Sequence, residues 1–263
     1  MKGCISFAAL ATSALLLPGT VLASGPFEGT WKMQPGSFQF SSAPDQYELK
    51  DGVFRCASCA PAYLVKADGS DQKVSGQGYF DSVAVKVIDA RTVELTDKLG
   101  GKTMYVDTRS VSADGAILTD AFEDRTGAKL VTWTQTAKRV GPAPTGAHAT
   151  SGSWKADAVP QASDSAVIVS YRMSSDGLQM NYNGATYDAK FDGKPVPIVN
   201  DPGKTWVSLR RIADSVIEET DTRDGKKTDV TLMTIAPDGN TMTVVDKDLQ
   251  RDATTTWILK RQP

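Results

Sequence analysis

The chain writes one long stretch twice. It reads VAVKVIDARTVELTDKLGGKTMYVDTRSVSADG from Val83 to Gly115, and VSLRRIADSVIEETDTRDGKKTDVTLMTIAPDG from Val207 to Gly239. The offset of 124 residues places Ile88 on Ile212, Thr96-Asp97 on Thr220-Asp221, Val106 on Val230 and Asp114-Gly115 on Asp238-Gly239. It also carries Tyr63 to Tyr187, Asp68-Gly69 to Asp192-Gly193 and Trp133 to Trp257. Gly29-Thr30-Trp31-Lys32 returns as Gly152-Ser153-Trp154-Lys155, one residue short of that offset. An in-register match of this length marks an internal duplication, so any fold must be built from two equivalent units.

Each unit reads as β throughout. Short runs of Val, Thr, Tyr, Phe and Ile alternate with turn pairs such as Asp51-Gly52, Gly100-Gly101, Asn183-Gly184 and Asp224-Gly225. Asp-Gly and Asn-Gly favour tight hairpins, because both central residues of a type I′ turn need positive φ. Parallel strands need long crossovers, and this spacing leaves no room for them. Val83, Val85 and Val87 share one strand face, as do Val93 and Leu95. A sheet with one apolar face must close or be covered. The expected fold class is all-β: two duplicated antiparallel meander barrels in tandem, with seven to nine strands per copy.

The expected division is a signal peptide at 1–23, a first barrel at 24–139, a Pro/Gly/Ala linker at 140–151 and a second barrel at 152–263. Lys2, the apolar run Ile5–Leu17 and the small-residue pattern Val21-Leu22-Ala23 carry the first of these. That run is shorter than the ~20 residues of a membrane span, and no later stretch meets that length. The expected location is therefore outside the cytoplasm, periplasmic or extracellular.

Net charge is −2 and both signs are interspersed, so no basic stripe is present to draw nucleic acid. The single histidine, His148, falls in the linker and is expected to be solvated. Its isolation excludes histidine triads and histidine-ligated zinc. No cofactor and no metal site are expected.

Gly29-Thr30-Trp31 and Gly152-Ser153-Trp154, with a basic residue near the end of each last strand, resemble the lipocalin and wider calycin pattern. That resemblance implies a tryptophan closing one barrel end under an arginine. Arg139 and Arg261 are the candidates, 122 residues apart and so on the same strand face. The second copy also resembles a set of secreted bacterial β-proteins to which no activity is attached. The residues concerned are Asp192-Gly193-Lys194-Pro195-Val196, Arg210-Arg211-Ile212, Asp224-Gly225-Lys226 and Pro237-Asp238-Gly239-Asn240-Thr241. Both resemblances concern turns and closure, and neither implies a catalytic residue.

Cys56-Ala-Ser-Cys59 is the sharpest local motif. It can be a structural disulfide, a redox pair or part of a metal site. Redox pairs usually sit at a helix N-terminus, and the flanks here read as strand. The second copy makes the same turn with Met180 and Asn183. Glu219 stands where the first copy has the inward Leu95, so it either points inward with a raised pKa or is solvated at a rim. Asp120, Glu123 and Asp124 read as solvated hairpin charges. Tyr63, Trp133, Tyr187, Trp206, Glu219 and Trp257 are the candidate ligand-binding residues, as an aromatic barrel mouth suits an apolar or flat ligand.

The leading functional expectation is non-catalytic binding of a small apolar or amphipathic molecule in a barrel. One alternative is an envelope module with filled barrels that binds protein or polysaccharide. A second is an enzyme working through Cys56 and Cys59 or through Glu219.

Overall fold

In the computed structural model the described residues are 25–263. The expected signal peptide, and Cys4 within it, lie outside them. Two antiparallel sheets, each curled into a nearly closed barrel of ten strands, stand in tandem. Ten exceeds the expected seven to nine because the segments after Asp68-Gly69 and Asp192-Gly193 contribute short strands, Gln72–Lys73 and Val196–Pro197, that continue each sheet. The first barrel comes close to closing where the Gly69 amide donates to the Val85 carbonyl (2.9 Å). The second does so through a reciprocal pair, Thr186 to Val199 at 3.1 Å and Val199 to Thr186 at 2.8 Å.

The sheets do not follow the boundary between the sequence copies. The Gly29–Met33 strand, which opens the first copy, pairs with Ile168–Met173 and with Ala253–Arg261 of the second. The Gly152–Ala162 strand, which opens the second copy, pairs with Val131–Val140 and Asp45–Lys50 of the first. The two copies have exchanged opening strands. In space, the first barrel runs from Asp45 to Ala162, and the second is made of 168–261 closed by 29–33.

The closure residues follow the exchange. Arg139 lies over Trp154, 3.9 Å from the ring centroid, and Arg261 over Trp31 at 4.3 Å. Both tryptophans are buried, and each indole donates to a carbonyl four residues earlier, Trp31 to Phe27 and Trp154 to Thr150. Each guanidinium is held by three backbone carbonyls: Gly115, Ser151 and Ala149 around Arg139, and Gly239, Glu28 and Pro26 around Arg261. A cation stacked on indole, with its donors met by carbonyls, makes a rigid plug. Each arginine lies on the tryptophan of the other copy.

Residues 140–151 are therefore a loop inside the first barrel, not a link between barrels. His148 is part of its anchoring rather than solvated. Its amide donates to Leu49 (2.8 Å), and its ring bonds the Asp89 carbonyl (2.7 Å) and the Thr150 hydroxyl (3.0 Å). The chain passes between barrels at 163–167, where Asp164–Val167 forms one helical turn. Ala166 and Val167 pack there with Val131 and Trp133. Among the described residues no helix is long and apolar enough to cross a membrane.

Alternation places the core as the pattern requires. Val83, Val85, Val93 and Leu95 are buried in the first barrel, whereas Val87, next to a bulge, is 45% exposed. Val207, Leu209, Ile217, Met242 and Leu259 fill the equivalent part of the second.

Candidate functional site

Above the plug, the second barrel keeps open space. A cavity of about 200 Å³ is lined by Val169, Tyr171, Met180, Met233, Val244 and Trp257, with Glu219 and Thr231 on its polar side. Strand register explains this set. Glu219 faces Thr231 across one pair of strands, and Met233 faces Val244 across the next. Val244 in turn faces Trp257, so alternate residues of four adjacent strands point to one interior level.

Glu219 points inward. The Tyr187 hydroxyl donates to its Oε2 at 2.5 Å. Burial raises its pKa to about 7, against the opposing effect of the Tyr187 bond. One turn of the pleat further out, burial and then the neighbouring Glu219 push Asp221 up to about 8. Asp229 and Asp246 are also raised, chiefly by burial. Thr231 donates to Asp246 at 2.7 Å. The Trp257 indole nitrogen and Asp221 Oδ1 are buried without a partner. The cavity thus has an apolar floor, an unmet donor in its wall and carboxyl groups toward its mouth.

The first barrel fills the same level with charge. Arg109 occupies the position of Met233, Asp107 that of Thr231 and Asp120 that of Val244. Arg109 lies 4.1 Å over the Tyr47 ring and bonds Asp107 through Nε (2.8 Å) and Nη2 (2.7 Å). Asp120 stands 3.6 Å from Arg109 Nε. Burial, and then Asp107, raise Asp120 to about 8. Asp120 is therefore an interior residue of the Ile117–Asp124 strand, not a solvated hairpin charge.

Of the expected ligand residues, Tyr187, Glu219 and Trp257 meet in or beside the second cavity. Tyr63 lies at the far end of the first barrel, against Phe54 and Phe80. Trp133 stacks on Phe122 at 4.4 Å, near the passage between barrels. Trp206 is 46% exposed and faces away from the core, since its neighbour Val207 takes the inward register. Projecting the Glu219 face onto the neighbouring strand reaches Met233, whereas Tyr171 and Met180 come from strands across the barrel, 168–173 and 177–182, which only closure brings to the same level.

Cys56 and Cys59 are joined as a disulfide, with Cα atoms 5.5 Å apart. Cys56 is buried at the end of the Val53–Cys56 strand and pairs with Tyr63. The bond ties off the loop 57–62 of that hairpin. The second barrel makes the corresponding connection with the two-residue turn Asn183-Gly184, where φ is 48° and 89°. Among the described residues no group of three or more His, Cys, Asp or Glu is arranged to hold a metal ion.

Comparison with protein-family models, curated proteins and solved structures finds no match to this chain.

Proposed function

We propose that the chain is an exported, non-catalytic binding protein that holds a small amphipathic molecule in its second barrel. The observation that carries this reading is the cavity itself: an apolar space with one inward carboxyl group, Glu219, and one unmet indole donor. A dry cavity of about 150 Å³ admits benzene, so about 200 Å³ suits an alkyl or aryl body of roughly ten non-hydrogen atoms. Its head would carry an N–H or O–H for Glu219. Calycin-like barrels closed by a Trp–Arg plug are consistent with such a role, and a structural disulfide is consistent with export.

The test is titration calorimetry with hexylamine and hexanol. Both are expected to bind the wild-type chain. Met233→Arg, which places the first barrel's side chain in the cavity, is expected to abolish both. Glu219→Gln is expected to weaken hexylamine about tenfold and leave hexanol within about twofold, since only the amine gains a charge-assisted bond. No binding of either, together with no small molecule released on denaturing the exported chain in a mass spectrometer, would refute the reading.

A further inference from the structure

A second space lies between the barrels, distinct from the cavity above. It measures about 480 Å³ and takes one wall from each barrel. Asp97, Asp107 and Arg109 come from the first, and Asp221, Arg223 and Thr228 from the second. Each of these six side chains carries a buried polar atom with no protein partner: Asp97 Oδ1, Asp107 Oδ1, Arg109 Nη1, Asp221 Oδ1, Arg223 Nε and Thr228 Oγ1. Asp107 and Thr228 expose only 8% and 3% of their surface. Buried polar groups are nearly always satisfied, so six orphans around one space mark a place that expects hydrogen-bonding atoms from outside the protein.

The barrels are fitted to keep this space. Arg223 lies over the Tyr79 ring at 4.6 Å and donates to Thr205 at 3.1 Å. Gly203 permits the approach, because a Cβ there would sit 2.5 Å from the Tyr79 ring. On the far side, Asn183 exchanges bonds with Lys129, accepting from its amide (3.0 Å) and donating to its carbonyl (2.8 Å).

The arrangement of the orphans narrows the ligand. A simple cation would leave Arg109 and Arg223 unmet, and a simple anion would leave three carboxyl groups unmet. A zwitterion wants acids at one end and bases at the other, but here each wall mixes both. Hydroxyl groups donate and accept at once, and so match mixed walls. Tyr63, Phe80, Tyr105 and Phe122 add rings for the C–H faces of such a molecule. We propose that the space between the barrels is a binding site for a neutral polyhydroxylated ligand of monosaccharide to disaccharide size.

The test is saturation-transfer NMR and titration calorimetry with glucose, galactose, N-acetylglucosamine, trehalose and maltose, beside glycine, glutamate and lysine. At least one sugar is expected to bind, and no amino acid more tightly than the best sugar. Thr228→Val is the decisive variant. It removes an unmet buried hydroxyl, so the melting temperature should hold or rise, while sugar affinity should fall about tenfold. Asp97→Asn is expected to weaken binding at a similar scale. Val244→Phe, which fills the second-barrel cavity from a position outside this space, should leave sugar binding within about twofold, which separates the two sites. Absence of binding by every sugar at millimolar concentration, tighter binding of an amino acid, or a Thr228→Val chain that binds as well as wild type would each overturn the proposal.

Discussion

Arg109 and Met233 stand at the same place in the two copies, and much of what separates the barrels follows from that pair. In the first barrel the guanidinium covers Tyr47 and draws Asp107 and Asp120 around it, so the level above the plug is occupied. In the second, Met233, Thr231 and Val244 are shorter or unbranched and uncharged, and about 200 Å³ stays open. The plug below is the same in both. Duplication conserved the device that closes the barrel and let the layer above it diverge, one copy toward an ion cluster and the other toward a cavity. A buried ion cluster specifies one arrangement at the cost of desolvation, and a cavity forgoes packing.

The largest effects should come from the part the barrels share. Trp31→Ala removes a fully buried indole and should cost about 3–5 kcal/mol. Hydrogen exchange should show the loss of protection in 168–261, and Trp154→Ala should show it in 45–140. The opposite pattern would mean that the opening strands are not exchanged in solution. Arg109→Met, which copies the second barrel into the first, should cost about 3 kcal/mol at neutral pH by leaving the buried Asp107 without its cation. Recovery of most of that cost when Asp107→Asn is added to the same chain would attribute it to charge.

Both interiors should weaken as pH rises, since Asp97 and Asp120 in the first are raised to about 7 and about 8 as well. Carboxyl groups raised in the folded state stabilise it fully below their unfolded values near 4, and the gain is lost as pH rises through the folded values. For Glu219 and Asp221 these lie at about 7 and about 8, so the second barrel should weaken between pH 5 and pH 8. Asp221→Asn should flatten that profile and recover on the order of 2 kcal/mol at pH 8. A melting temperature that rises over this range would contradict the inward placement. The smallest effect belongs to the hairpins: replacing Cys56 and Cys59 by serine should cost about 1–2 kcal/mol, because the loop closed is short. The loss should stay in the first barrel, since Asn183-Gly184 already turns the second without sulfur.

Much of this was legible in the residues. The repeat offset, the Asp-Gly and Asn-Gly turns and the alternating valines specify two antiparallel barrels. Substitution of Leu95 by Glu219 at one register left an inward carboxyl group and a solvated rim residue both open, and only the packed barrel places it inward. The ion cluster was hidden, because Asp107, Arg109 and Asp120 look outward-facing on any polar scale until register sets Asp107 opposite Leu95 and Arg109 opposite Asp120. The exchange was hidden for a different reason. Gly-x-Trp specifies a closing strand, but both copies own one, and either fits either plug. Chain connectivity decides. The 152–162 strand follows its partner 131–140 after one short loop, so its effective concentration at that edge far exceeds that of a strand about 100 residues upstream.

That exchange also sets an order in time. The first barrel holds all its strands once residue 162 has been delivered, and its closing strand arrives directly behind the strand it joins. The second cannot be sealed until Ala253–Arg261 comes to lie beside Gly29–Met33, with Arg261 bonding Pro26 across 235 positions of chain. Throughout that interval Trp31 has no barrel to enter. The opening strand, delivered before every other strand of the two barrels, has one neighbour, Ile168–Met173, long before the other, Ala253–Arg261, arrives to seal it in.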